Sequence, residues 1–412
     1  GGVYDATLSD LLRGDFTLGT LPGPDMPGDV DISGYNLLAR WHRHFDASSG
    51  VRLQAYVDHT SRKIPGSFNE RRDTLDLDFQ HEFAAVNHQI VWGAGFRLTS
   101  DDLDNTLFAT FLPEQRTDAT FRLFAQDIIG LFSDRLFLTL GLDLNHNDCT
   151  QFELHPTARL TWPINERNTL WAAATRAVRI PARLNTDLEL TAPVAVPGLP
   201  APLYVNVFGN DDYRSEELFA KEVGYRVLLD RNLSVDLTVF HNDYDYLQTQ
   251  EAGALFPVGD PVEYFVLPTV LANGMEGETY GGSLVATWQV NRHWRLQLQY
   301  TRLEMDLQLK PGSTNPNDLS IAGNSPKHQS ALHSSIELPW NMHVFTAIRY
   351  QDELPNLGVP DRMSIDVSLG WWLTNHLRLS LTARNVDDPT HPEFGNSNLI
   401  ERSVYLKASW TH

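Results

Sequence analysis

No run of about 18 apolar residues occurs anywhere in the 412-residue chain, which excludes a membrane-spanning helix. Cysteine is nearly absent. Cys149 is the single one, so no disulfide forms within the chain. It sits in Asn147-Asp148-Cys149-Thr150, between two strand-like runs. It is either an inert loop thiol or an exposed one that crosslinks to a partner or carries an adduct. Basic residues are scarce, 32 Lys and Arg against 52 Asp and Glu. The resulting charge of -20 argues against nucleic acid as a partner, because phosphate contacts need clustered cations. It fits loops and a lumen that face water, and equally an acidic soluble protein. The start, Gly1-Gly2-Val3-Tyr4-Asp5, has neither the basic nor the apolar region of an export signal, so for an exported protein the signal has either been removed or lies outside this sequence.

Catalytic signatures are missing too. There is no Gly-rich phosphate loop before a helix, no His-Glu-x-x-His and no nucleophile elbow. Neither an enzymatic activity nor a cofactor is expected. The 15 His do not cluster at metal-ligand spacing. His42 and His44 alternate on one strand and share a face, where a lumen or interface position is expected rather than a metal. Asp101-Asp102-Leu103-Asp104-Asn105 has oxygen ligands of the kind Ca²⁺ takes, but an acidic loop is ordinarily just solvated. No metal site is expected.

What the chain does have is alternation. Leucine fills the even positions of Leu136–Asn145, while Phe137, Thr139, Gly141, Asp143 and Asn145 fill the odd ones, giving one apolar and one polar face. The same grammar runs through Leu75–Gln80, Leu233–Val239, Trp294–Tyr300 and Leu377–Thr382. Soluble sandwiches also alternate. Three features point instead to a membrane barrel. Many strands reach about 11 to 16 residues, against 5 or 6 in soluble sheets. Arg, Asp, Gln and Asn occupy the polar face in mid-strand, as in a wet lumen. Aromatics gather at strand ends, in positions suited to a membrane-interface girdle: Trp41, Phe45, Trp162, Trp171, Trp288, Trp294, Trp340, Trp371, Trp372, Tyr405 and Trp410.

The connections alternate as well. Short turns such as Asp46–Gly50, Ser133–Arg135, Asn165–Asn168, Asp230–Asn232, Asn291–His293 and Thr374–His376 oppose long links near 100-115, 180-213, 249-275, 307-325 and 387-399. Outer-membrane barrels pair short periplasmic turns with long extracellular loops in this way. Such loops are disordered alone, or fold over the barrel mouth. The expected fold is all-β, an antiparallel transmembrane barrel filling 1-412 as a single domain. Hairpins are expected near 35-61, 72-100, 116-147, 151-179, 214-248, 276-306, 326-352 and 361-387, with a last strand near 400-410. That makes about 17 complete strands. Closure needs an even number, and Gly2–Thr7 is read as the stub of an eighteenth.

Several local motifs resemble those of TonB-dependent outer-membrane receptors. Thr175-Arg176-Ala177-Val178-Arg179-Ile180-Pro181-Ala182-Arg183 is similar to a strand end of that family, and Phe208–Glu217 to its next loop. Lys221–Arg226, Val239–Leu247, Asn273 with Gly277–Gly282, Asn324–His328 and Ala383–Pro389 match further segments in order. The set covers about residues 30-412. The resemblance implies a plugged barrel of about 22 strands in a Gram-negative outer membrane. It also implies energised import of a scarce ligand, such as a ferric siderophore or a cobalamin. The sequence departs from the family: it holds no plug domain or first strands, and so reads either as a fragment or as a reduced receptor. It ends on Ser409-Trp410-Thr411-His412 where the family usually ends on Phe or Trp, so that either Trp410 substitutes or the chain continues.

Arg176, Arg179 and Arg183, with Arg214 and Arg226 on the next hairpin, are candidates to attract an anionic chelate. Tyr244 and Tyr246 are candidates for aromatic contacts with it. Structural pairing with lumen carboxylates, and rim packing, are the plainer roles. The expected partners are outer-membrane lipid, other outer-membrane or periplasmic proteins, and TonB only through a plug outside this chain. A plugless scaffold in an outer-membrane assembly and a passive porin are the alternatives to uptake.

Overall fold

The computed structural model describes residues 30–64, 68–106, 108–194, 196, 198–313, 315–395 and 399–411. In chain order its first strands are β1 (Asp31–His44), β2 (Ser49–Ile64), β3 (Phe68–Ala85), β4 (His88–Asp104), β5 (Ala109–Phe111), β6 (Gln115–Leu131), β7 (Leu136–Asn147) and β8 (Gln151–Asn165). Then follow β9 (Asn168–Arg179), the helical turn α1 (Arg183–Thr186), β10 (Leu188–Val194), β11 (Leu203–Phe208), β12 (Glu216–Asp230), β13 (Leu233–Ala252), β14 (Phe256–Val258) and β15 (Tyr264–Asn291). The last are β16 (Trp294–Leu309), β17 (His328–Leu338), β18 (Met342–Gln351), β19 (Arg362–Trp372), β20 (Leu377–Arg384), β21 (Thr390–Pro392), β22 (Leu399–Glu401) and β23 (Ser403–Trp410). Two 3₁₀ segments, Pro316–Asn324 and Pro355–Leu357, lie in connections.

Seventeen of these strands form one antiparallel meander: β1–β4, β6–β9, β12, β13, β15–β20 and β23. The expected number of complete strands is met. Among the described residues β1 pairs with β2 alone and β23 with β20 alone. The stub read at Gly2–Thr7 lies outside them.

Period-two alternation fixes the register. Leu138 faces Leu160 across β7 and β8, and Leu144 faces Leu154, so the apolar sets of both strands land on one side. That side is open: Leu142, Val223, Val239 and Leu406 stay between 47% and 70% exposed, as lipid-facing residues do. The other face carries Arg–carboxylate rungs between neighbouring strands. Arg97 meets Asp76 at 2.9 Å, Arg226 meets Asp236 at 2.5 Å, Arg349 meets Asp366 at 2.5 Å, and Arg122 pairs with Asp143. This is the wet lumen wall that mid-strand charges imply.

All ten tryptophans lie at the short-turn end. Outward tyrosines, Tyr35, Tyr280, Tyr300 and Tyr350, stand further from the short turns. On β15, Trp288 and Tyr280 are separated by roughly 20 Å of membrane depth, taking ~3.3 Å per residue and a tilt near 40°. Two of the expected girdle tryptophans face inward instead. Trp171 is the register partner of Thr161, while lipid-facing Trp162 is the partner of Leu170. Trp171 lies under Arg159, 4.3 Å from its guanidinium carbon, and over Gly224, where any Cβ would collide with the indole. Trp372 pairs with Arg378 and Tyr405 with Thr382, also opposite the lipid face.

The stretch expected as a loop at 249-275 is largely strand. β13 runs on to Ala252 and β15 begins at Tyr264, because Val266, Leu267 and Leu271 supply an apolar surface to pack.

Candidate functional site

The long connections fold on one another. β10 pairs with β5 on one side and β11 on the other, and β11 runs parallel to the Phe265–Val270 part of β15. This small sheet extends the wall beyond the membrane. It encloses an apolar core of Leu103, Phe111, Leu188, Leu190, Val205, Val207, Tyr213 and Leu271. Val207 and Leu271 are fully buried. The long loops thus form a cap with a core of its own, which no single loop would sustain.

Buried charges pin the cap to the wall. Arg183 of α1 bonds Asp101 at the end of β4 and Asp187 at 2.8 Å, and all three are under one-tenth exposed at the side chain. Arg116 of β6 joins them, 2.9 Å from Asp187 and 2.8 Å from Asp118. Burial alone would raise the Asp187 carboxyl. Hydrogen bonds from Thr186, Arg183 and Arg116 outweigh it and hold Asp187 below the usual range. The Asp101–Asn105 run is therefore no solvated loop: Asp101 is buried on Arg183, while Asp102 and Asp104 meet Arg71 at 2.8 and 3.5 Å. Arg116 also donates to the Cys149 sulfur at 3.0 Å. Burial pushes the half-buried Cys149 thiol up, which favours the inert form.

Beneath the cap a cavity of about 400 Å³ opens at the barrel mouth. Tyr244, Thr279 and Met305 project into it from the lumen face of β13, β15 and β16. Met275, Gln248 and Gln250 line it at the β-bulge that ends the regular β13–β15 pairing. The 3₁₀ segment Pro316–Asn324 closes one side with Ile321 and Asp318. Asn315 caps that segment by accepting from the Asn317 amide, a turn signal already present in Asn315-Pro316-Asn317-Asp318. The Asp318 carboxylate accepts from the Gln250 amide at 2.9 Å. Its burial, opposed by that bond and aided by Glu251, pushes Asp318 up to about 6. On the opposite wall Glu216 accepts from the Tyr213 hydroxyl and the Gln248 amide, both at 3.2 Å, with Arg179 3.6 Å away.

The candidate arginines do not gather into one anion site. Arg179 alone lines the cavity. Arg176 shares the outward face of Phe219 and binds Glu217 at 3.1 Å. Arg183 is consumed by the cap clamp. Arg214 lies over the Tyr246 ring at 4.4 Å, with Lys310 on the same ring at 3.8 Å. Arg226 lies four residues from the short-turn end of β12, in a lumen rung with Asp236. Tyr244 lines the cavity and Tyr246 does not. Asn273 holds Tyr246 and Arg214 in place, donating to both carbonyls at 2.6 and 3.1 Å. Sequence reading passed over Asp318, Gln250, Met275 and Met305. Only the turn signal at Asn315 pointed toward them.

Known proteins share this architecture. A crystal structure of a ferric enterobactin receptor variant from Pseudomonas aeruginosa, in complex with enterobactin, matches with a TM-score of 0.69 at 17% identity, over 92% of this chain and 62% of that one. The siderophore receptor PirA from Acinetobacter baumannii matches with a TM-score of 0.69 at 14% identity and the same coverage. In sequence, the ferric enterobactin receptor of Pseudomonas aeruginosa is 30% identical over 172 residues, which is 41% of this chain and 20% of that protein. The iron-regulated outer membrane virulence protein of Vibrio cholerae is 29% identical over 97 residues, 23% of this chain and 15% of its own length. The chain thus spans about three-fifths of those solved structures and a fifth or less of those curated relatives. Residues 3–386 match the model of the TonB dependent receptor-like beta-barrel, and the chain belongs to that family of Gram-negative outer-membrane proteins.

Proposed function

We propose that this chain forms the wall and mouth of an uptake receptor for a ferric siderophore or a similar scarce chelate. The observation that carries the reading is the capped, lumen-facing cavity at the barrel mouth. Its volume is that of a small-molecule pocket, and its lining mixes thioether and aromatic surface with a few directed polar groups. The named ligands of the relatives support the class. The charge of the lining narrows it: Arg179 lies 3.6 Å from Glu216 and shares the lining with Asp318, so a chelate of low net charge suits the cavity better than a strongly anionic one. Energised release through TonB belongs to the whole receptor.

Two probes test this: ferric enterobactin, and a ferric hydroxamate chelate of lower charge. Each is titrated into the purified chain in detergent while intrinsic fluorescence is followed. Saturable quenching is expected with a ferric chelate, the hydroxamate binding more tightly. Arg179→Ala and Tyr244→Ala should weaken it about tenfold or more, in line with losing a central contact. Absence of saturable quenching by both probes, or full affinity in both variants, overturns the proposal.

A further inference from the structure

We propose that the outer surface of the barrel, one rung beyond its lipid-facing band, carries a divalent transition-metal site built from His241, Asp243 and Glu278, and that Zn²⁺ is the ion its ligand set suits. His241 and Asp243 alternate on β13, so they share a face, and it is the face of lipid-exposed Val239. Glu278 is the direct partner of Asp243 across the β13–β15 ladder. One ligand atom from each lies within 4.8 Å of the other two. His241 Nε2 is 2.9 Å from a Glu278 oxygen and its Nδ1 is 3.7 Å from an Asp243 oxygen.

The backbone beneath the triad is regular. Pairing of β13 with β15 is unbroken from Leu233 to Tyr244, and the bulge begins only after it. Two ligands at positions i and i+2 on one strand, with a third directly opposite, therefore stand on a rigid platform. A tetrahedral Zn²⁺ at ~2.0–2.2 Å from each donor needs its ligand atoms about 3.3 Å apart. Modest side-chain rotation achieves this, since all three residues are half-exposed. One imidazole and two carboxylates make a mixed nitrogen–oxygen set that suits Zn²⁺ better than Mg²⁺. Three protein ligands leave a coordination position open, toward the headgroup layer just beyond Tyr280.

The surroundings favour a cation. Asp306 faces Glu278 from β16, and Glu217 and Glu276 lie on the same outward face. Two cations oppose it: Arg176, which shares this face and already pairs with Glu217 at 3.1 Å, and Lys221. The Lys221 ammonium sits 2.7 Å from the Asp243 carboxylate and occupies the cationic role itself. A metal has to displace it, and the nearby Phe219 ring, 5.4 Å away, offers the ammonium a second resting place. The site thus has an internal competitor, which gives the proposal a signed test.

A second grouping, His42, His44 and Glu82, is exposed, with both histidines on β1, whose only partner among the described residues is β2. The test therefore uses the chain with His42→Ala and His44→Ala as background. Zn²⁺ is titrated by calorimetry into the detergent-solubilised protein, with Mg²⁺ in excess. One saturable site is expected. His241→Ala and Glu278→Gln should each weaken it about tenfold to a hundredfold, and Lys221→Met should strengthen it severalfold. X-ray absorption should report nitrogen and oxygen neighbours without the Cys149 sulfur. All variants change surface residues, and heat-modifiable mobility checks folding. Unchanged affinity in His241→Ala, absent gain in Lys221→Met, or a sulfur in the metal shell overturns the proposal.

Discussion

Arg183 and Asp101, 82 residues apart, form an ion pair in which both side chains are under one-tenth exposed. The pair ties the 180-213 connection to the end of β4. Leaving one buried partner unpaired costs about 3–5 kcal/mol. Arg183→Met is therefore expected to loosen the cap while the wall keeps its strands. Limited proteolysis should cut faster within 180-213, and heat-modifiable mobility should stay unchanged. The double variant with Asp101→Leu should recover part of the protection. Equal cutting rates in wild type and Arg183→Met would contradict the clamp.

Asp318 makes the cap sensitive to acid in an unusual direction. Its carboxyl titrates near 6 in the folded cap against an ordinary 3.8, so the folded form holds the proton more tightly. Stability falls with rising pH wherever the native state binds more protons. The burial penalty on Asp318 is thus relieved as pH drops from about 7 to about 4, and the Pro316–Asn324 segment should exchange its amides more slowly, after correction for intrinsic rates. In Asp318→Asn that part of the pH dependence should vanish. Persistence of the full slope in Asp318→Asn would refute the assignment.

Cys149 should react slowly with a maleimide at pH 7.5, because burial raises its thiol and Arg116 covers the sulfur. Denaturant should accelerate labelling by orders of magnitude. Rapid labelling of the folded chain would return the residue to the exposed class.

Trp162 and Trp171 stand on opposite faces of the wall on either side of one short turn. Lipids brominated near the headgroup should quench Trp162 and spare Trp171, each read in a variant that keeps one of the two. Quenching of Trp171 to the same extent would place it in the girdle after all. Gly224→Val is expected to displace the Trp171 indole and destabilise the wall by roughly 1–3 kcal/mol, the usual range for overpacking.

Alternation made the wall legible, because a period of two is a local property of each strand. The Leu136–Asn145 pattern alone gives both faces of β7. Position on a face was legible only where the register was. The expectation that both Trp162 and Trp171 lie in the girdle failed because distance from a turn fixes depth and not side; the irregular pairing between Pro163 and Asn165 sets which residue looks out. The arginines failed as a cluster for a related reason: Arg176 and Arg179 differ by an odd number of positions and so face opposite ways. The cavity, the cap core and the His241–Asp243–Glu278 group depend on pairings between separate strands, 35 residues apart for Asp243 and Glu278, which local patterns do not encode. Val266 and Leu271 were signals that 249-275 packs against something, hidden among Pro and Gly.

The most direct test of the account is hydrogen exchange on the purified chain, with and without the ferric chelate that quenches its fluorescence. The account predicts ligand-dependent protection at Gln248–Ala252, around Met275 and across Pro316–Asn324, with the short-turn end unchanged. Protection confined to the short-turn end, or none at the mouth despite saturating ligand, would contradict it.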